Sequence, residues 1–306
     1  MPKFSSTYFE LDVPCRWLRG NHHGHSTVSD GSDEPLAIAA AYEAEGYHYL
    51  ALSEHDCLLK PEEIQPHTTM TILPAVEVTS RYDQTLVYLG ADRELPAREL
   101  TPREIMERVH EGGGLFVFDH PNWQPRPNYA TDGLLDSMEG MRGMEIYCGV
   151  IERLPGQARA TDRWDRLLSK GWRLFGHGTD DQHESGDQFV AWNCVQWPTD
   201  EVPSPGGIVE ALKAGRFYAS TGVTIDSVGV DEDGRSVLVE ADADEIHWII
   251  RGSVIVKKVR GGKSRLSVDD LARLSGLDDP KEGIYLRAEC LGNGNKCAWT
   301  QPFWIV

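Results

Sequence analysis

Phe116-Val-Phe-Asp-His120-Pro-Asn122 is a short apolar run that ends abruptly in polar groups, with Pro121 stopping the strand. Leu50-Ala-Leu-Ser-Glu-His-Asp56 repeats the pattern, and Val76-Glu77-Val78 sets one carboxylate between β-branched residues. Working outward, His23-Gly-His25 with Asp30 lies upstream and Asp181-Gln-His183 lies downstream, each again at the end of an apolar run. Charged groups that follow a buried strand directly favour a functional rim. A parallel (β/α) barrel collects scattered ligands at its carboxyl rim in this way.

The segments between these runs fit that reading. Strands are expected at 17–22, 47–52, 71–76, 85–89, 115–118, 144–147 and 172–175, alternating with helical patterns. An Ala-rich helix is expected at 35–45. Thr101-Pro-Arg-Glu104 is a capping box opening a helix to about His110, ended by Gly112-Gly-Gly114. Further helices are expected at 158–170 and from Ser204-Pro205 to about Ala214. After Gly222 the pattern changes to alternating runs at 236–240, 246–251, 284–289 and 298–306, broken by Gly-containing turns, with one helical stretch at 268–274. The expectation is an α/β chain with two parts. Residues 1–221 would form the barrel, and 222–306 a small antiparallel β-sandwich.

Composition narrows the function. The chain has 306 residues, enough for a barrel plus a smaller module, and a formal charge of -18. That field repels a phosphate-rich polymer, and no Lys/Arg run offers a local basic groove, so nucleic acid is not an expected partner. A small anionic substrate drawn in by metal ions is compatible with it. The first ten residues lack the charged start and apolar run of a signal peptide, and no apolar stretch reaches membrane-span length. The six cysteines form no CxxC pair. Cys290 and Cys297 flank a turn, but without an export signal reduced thiols and a cytoplasmic location are expected. The sequence does not reveal an oligomeric state.

Each ligand motif has a bland alternative. His23 and His25, two apart on an extended segment, project from one face, whereas His22 points to the other. Ser29-Asp30-Gly31 suggests a tight turn that brings Asp30 back to the rim. An isolated HxH is otherwise a surface pair, and His55 alone is otherwise a capping histidine. A buried Glu77 needs a cationic partner, either a metal ion or Arg81. In Phe175-Gly-His-Gly-Thr-Asp-Asp-Gln-His183, Asp180 and His177 compete with Asp181 and His183 as ligands. Arg81 and Arg126 follow ligand segments and are candidate anion contacts, and Trp123 is a candidate pocket wall. Their alternative is a solvated loop.

Together the motifs resemble the PHP (polymerase and histidinol phosphatase) family. His23-Gly-His-Ser-Thr-Val-Ser-Asp-Gly31 resembles its opening motif and Leu50-Ala-Leu-Ser-Glu-His-Asp56 its second, with Glu54 where Asp is usual. Leu73-Pro-Ala-Val-Glu77, His120-Pro-Asn122 and Thr179-Asp-Asp-Gln-His183 are similar to the later ones. The resemblance spans about residues 18–220. It implies a distorted (β/α)₇ TIM-like barrel with a trinuclear site, and Asp181 rather than Asp180 as ligand. The first ion would take His23, His25, Glu77 and Asp181; the second Glu77 and His120; the third Asp30, His55 and His183. Where the family often has a histidine, this chain has Thr85, a poor ligand, which implies two tightly held ions and a weak or empty second position. The segments 211–222 and 298–303 resemble PHP proteins with an appended β-sandwich, among them metallohydrolases similar to carbaryl hydrolases.

Ligands of this mixture suit Zn, Mn or Fe. Such ions would lower the pKa of a shared water, so that a metal-held hydroxide attacks the substrate. The expected activity is a metal-dependent phosphoesterase acting on a small phosphate mono- or diester. Two alternatives are an ester or carbamate hydrolase on the same centre, and a non-catalytic metal-stabilised barrel whose sandwich binds carbohydrate or protein.

Overall fold

The computed structural model of the chain describes residues 2–276 and 283–306. Its elements are mixed α/β and fall into three sheets. A five-stranded sheet runs Ala75–Thr79, Thr85–Leu89, Leu115–Phe118, Gly143–Cys148 and Phe175–Thr179 in sequence order. The second and largest sheet starts with Thr71–Ile72, Tyr49–Leu50 and Cys15–Asn21, then continues through Trp192–Pro198 and Phe217–Ser220. From there it passes to the C-terminal strands Cys297–Thr300, Tyr285–Leu291 and Phe303–Ile305, ending on Phe4–Ser5. Ile225–Val230, Ser236–Ala241 and Lys263–Ser267 make the third.

The expected closed barrel is not formed. Among the described residues, the backbones of the five-stranded sheet and the large sheet pair through isolated bridges, His55 with Glu77 on one side and Gly24 with Gln182 on the other. Between Phe175–Thr179 and Trp192–Pro198 a side chain stands in for the ladder: Gly178 N–H donates to Asn193 Oδ1 (3.0 Å), and Asn193 Nδ2 donates back to the Gly178 carbonyl (2.7 Å). Nor are all the strands parallel. Thr85–Leu89 runs antiparallel to both Ala75–Thr79 and Leu115–Phe118. Only five residues separate Thr79 from Thr85, closed by Asp83 N–H to the Ser80 carbonyl and Ser80 N–H to the Gln84 carbonyl. A link that short permits a hairpin and not a crossover helix.

The hydrophobic pattern explains the elements that were expected. Thr101 caps Pro102–Glu111 by accepting from Glu104 N–H while the Glu104 carboxylate accepts Thr101 N–H, and Ile105, Met106 and Val109 form the buried stripe. The strands of the five-stranded sheet are buried on both faces, as central strands between layers are. A second core gathers Ile225, Val237 and Leu266 of the three-stranded sheet against Trp248, Leu286 and Phe303 of the C-terminal strands. Phe217–Ser220 pairs directly with Cys297–Thr300, so one sheet continues across the change of sequence style at Gly222. The junction also holds a buried ion pair, Arg287 bidentate on Asp165 of helix Thr161–Leu168, both bonds 2.7 Å. The six cysteines are all free. No described helix is long and apolar enough to cross a membrane.

Candidate metal centre

His23 and His25 follow the strand Cys15–Asn21 and are both buried, with ring centroids 5.4 Å apart. Glu77, in the middle of Ala75–Thr79, reaches them: its carboxylate lies 3.4 Å from His23 Nε2 and 3.2 Å from His25 Nε2. Asp181, after Phe175–Thr179, lies 3.2 Å from the first and 3.1 Å from the second. These four residues offer ligand atoms within 4.8 Å of one another. A second such group, sharing His25, contains Asp30, His55 and His183. His120 Nε2 lies 3.6 Å from Glu77 and 3.9 Å from Asp181, at the edge of the first group. All eight residues named from the sequence thus converge on one place.

The local structure explains how each arrives. Asp30 returns to the rim through the turn ending at Gly31, whose N–H donates to the Ser26 carbonyl (2.9 Å). A Cβ at Gly31 would lie 2.3 Å from the His25 carbonyl oxygen, so no larger residue fits that turn. Glu54 clasps the same loop, accepting from Ser26 Oγ and Ser29 Oγ (2.5 Å each) and from their backbone N–H groups. His120 and Asp181 have φ of 27° and 51°, the left-handed region that costs a non-glycine residue roughly 1–3 kcal/mol. His120 N–H donating to Glu145 (2.6 Å) and Asp181 N–H donating to the His23 carbonyl (3.0 Å) hold them there.

Electrostatics separate the candidate ligands from their neighbours. Burial alone would depress the His23 imidazole, but Asp181, Glu145 and Glu77 outweigh it and hold it well above the ordinary value. At His55 burial is likewise outweighed, by Glu77 and Asp30, and the imidazole rises to about 9. Glu77 and Asp181 resist the upward push of burial and stay below the ordinary carboxylate range, chiefly because of His23. The candidate competitors are occupied elsewhere. Asp180 accepts from the Tyr42 hydroxyl and the N–H groups of Phe189, Val190 and Ala191, and burial raises it to about 6. His177 faces His22 on the far side, ring centroids 5.0 Å apart.

The donor set suits a divalent cation. His23 Nε2 and Glu77 Oε2 are fully buried and make no hydrogen bond, although both point into the cluster. Burying several charges together costs several kcal/mol each, and a divalent cation in place of the imidazole protons would offset the carboxylates. Thr85 does not join: its hydroxyl lies 3.3 Å from His120 Nε2 and 3.3 Å from the Tyr129 hydroxyl. Arg81 donates to the Glu99 carbonyl, and Arg126 to Asp83 and the Tyr82 carbonyl; neither lines the cavity. Arg98 and Arg153 do line it, together with Trp123, in a space of about 700 Å³ above the cluster.

Sequence reading missed Glu145. It is 1% exposed and accepts from His23 Nδ1 (2.6 Å), Thr179 Oγ1 (2.5 Å) and His120 N–H. It fixes which His23 nitrogen faces Glu77, as a carboxylate behind a metal-binding imidazole does. Its signal was the one that revealed Glu77: a lone Glu between Met144 and Ile146 in an apolar strand. Asp119 is also buried beside His23, without a hydrogen-bond partner.

No protein-family model matches the chain, and no curated protein does. Among solved structures, it is similar to a two-domain protein from Bacteroides vulgatus described as containing a predicted PHP-like metal-dependent phosphoesterase. Identity is 15% and the TM-score 0.52, over 97% of this chain and 99% of that one. Weaker likenesses, at TM-score 0.46 and 15% identity, are to a candidate metal-dependent phosphoesterase from Bifidobacterium adolescentis and an amidohydrolase from Chromobacterium violaceum. These cover 71% and 65% of this chain, and 98% and 96% of the other. The chain thus shares its fold, along nearly its whole length, with a PHP-like two-domain protein.

Proposed function

We propose that the chain is a metal-dependent hydrolase that cleaves a small phosphate ester. The observation that carries this is the pair of four-residue ligand groups, joined at His25, on the floor of an open cavity. One ion would be held by His23, His25, Glu77 and Asp181, and the other by Asp30, His55 and His183 with His25 beside them. Bound there, Zn, Mn or Fe would act as a Lewis acid and as a source of nucleophilic water. His120 borders the first position, and Thr85 at the second ligand place argues for two ions over three.

The protein's own residues set the direction of approach. His55 and His183 keep 31% and 25% of their side-chain surface exposed, whereas His23 and His25 keep none, so substrate enters over the former pair. Glu145 and Thr179 keep His23 oriented, and Glu54 keeps the Asp30 loop in place. Residues 1–221 would supply the reaction and 222–306 an accessory unit, in a cytoplasmic enzyme with a small anionic substrate.

The test is hydrolysis of 4-nitrophenyl phosphate, bis(4-nitrophenyl) phosphate and 4-nitrophenyl acetate by purified protein with Zn or Mn. Phosphate-ester turnover that is lost with chelator and with His55→Ala is expected. Turnover of the acetate alone would move the assignment to a carbonyl hydrolase, and inactivity on all three with metal bound would overturn it.

A further inference from the structure

The cavity has two unlike walls. On the same cavity, the turn Gly149–Arg153 brings the edges of Val150 and Ile151, each 2% exposed, to the lining, with the more open Leu154 and Trp123 beside them. This apolar wall is fixed. Trp123 bridges Gly156, Gln124 N–H donates to the Pro155 carbonyl (2.9 Å), and Gln157 N–H donates to the Asn122 carbonyl (3.1 Å). Gly156 has φ +126°, and a Cβ there would lie 2.4 Å from the Asn122 carbonyl oxygen, so the two segments approach this closely only with glycine. The Trp123 ring stands edge-on to His120, centroids 4.8 Å apart, which brings the wall up to the ligand cluster.

The charges of the cavity are also unlike those of a polyanion site. Apart from Asp30, Glu77 and Asp181, which belong to the ligand groups and would be neutralised by the ions, Asp56 and Asp83 line it, against Arg98 and Arg153 among the described residues. Both guanidiniums are already engaged. Arg153 is bidentate on Asp187 (2.6 and 2.8 Å), and Arg98 pairs with Asp83 (2.5 Å). Beyond the bound ions, negative charge on a substrate therefore meets arginines that are already paired and the carboxylates of Asp56 and Asp83, which favours one charge over two.

We propose that the site takes a singly charged phosphodiester carrying an aryl or branched alkyl group, which rests on Trp123, Val150, Ile151 and Leu154. This deepens the hydrolase reading and rests on it. The reaction is hydrolysis: the oxygen of water bonds to phosphorus, the P–O bond to the leaving group breaks, and one proton of that water leaves with the departing alcohol or phenol. A phosphate monoester of the retained group is the other product.

The experiment holds the leaving group constant and varies the rest. With Zn- or Mn-loaded protein, kcat/KM is compared for phenyl 4-nitrophenyl phosphate, methyl 4-nitrophenyl phosphate and the doubly charged 4-nitrophenyl phosphate. The phenyl diester is expected to lead the methyl diester by at least about tenfold, the scale of burying an aromatic ring rather than a methyl. It is also expected to lead the monoester. In Leu154→Ser and in Trp123→Ala the phenyl-to-methyl ratio should fall toward one, with thermal melts confirming folded protein; Leu154 is partly exposed and gives the variant that disturbs packing least. Equal rates on the two diesters, or a preference for the monoester, would overturn the inference while leaving a metal-dependent hydrolase standing. Inactivity on all three would refute that underlying reading, and the inference with it.

Discussion

His22 and His23 are joined by one peptide bond, are both fully buried, and titrate in opposite directions. His22 turns away from the cavity toward His177, with Asn193 Nδ2 3.2 Å from its Nδ1, and burial outweighs the pull of Glu145 and lowers it to about 4. His177 is pushed well down for the same reason. His23 turns toward Glu77, Glu145 and Asp181 and is held well above the ordinary value. Burial is common to both sites, so what decides the sign is the carboxylates. One face of the strand end stores neutral imidazoles as packing; the other assembles imidazoles and carboxylates whose protons a divalent cation would replace.

The widest separation between the two faces should be in activity. Glu77→Gln or His25→Ala is expected to lower phosphate-ester kcat/KM by a factor on the order of 10³ or more, because a buried ligand of the first group, and with His25 the donor common to both, is lost. His177→Phe should retain activity within about threefold, since the His177 ring packs against the His22 and Phe217 rings and is in none of the ligand groups. Comparable losses in both would break the distinction. Next comes the support behind His23. Glu145→Gln should weaken metal binding about 10–100-fold in chelator competition, the usual effect of losing such a partner. Unchanged affinity would remove Glu145 from the account.

The neutral face makes a prediction about stability. The folded pKa of His22 is depressed below its unfolded value, so the unfolded chain binds more protons between about pH 6.5 and 4. The contribution of this group is present above that range and lost as pH falls through it. In metal-free protein, urea melts should show wild type losing about 2 kcal/mol more than His22→Asn between pH 7 and pH 5. The ligand face predicts a pH dependence of metal affinity rather than of stability. His55, raised to about 9, must release its proton to bind metal, so apparent affinity should climb by up to about tenfold per pH unit below 9. Calorimetry in buffers of different ionisation enthalpy should register that released proton.

The candidate site was legible because its ligands sit where polar residues interrupt apolar runs, a signal that survives errors in strand boundaries. The expected strand at 172–175 begins only at Phe175, since glycines conceal Phe175–Thr179 as a strand, yet Asp181 and His183 still fall at its end. Parity alone distinguished His22 from His23. Other features were hidden for physical reasons. Trp192–Pro198 and Phe217–Ser220 are strands that the sequence reading passed over, and they carry the large sheet into the C-terminal part through pairings more than 70 residues apart. Where the barrel stays open beside Phe175–Thr179, the side chains of Asn193 and Gln301 pair with Gly178 and Gly176 in place of a backbone ladder, which no periodicity reports. The arginines lining the cavity, Arg98 and Arg153, come from loops whose placement depends on Asp83 and Asp187.

The most direct test of the whole account is metal stoichiometry by equilibrium dialysis against zinc or manganese, comparing wild type with Glu77→Ala and His22→Asn. Two ions per chain are predicted for wild type and for His22→Asn, falling in Glu77→Ala. Binding of less than one ion by folded wild type, or equal losses in the two variants, would contradict the convergence of these side chains on a working centre.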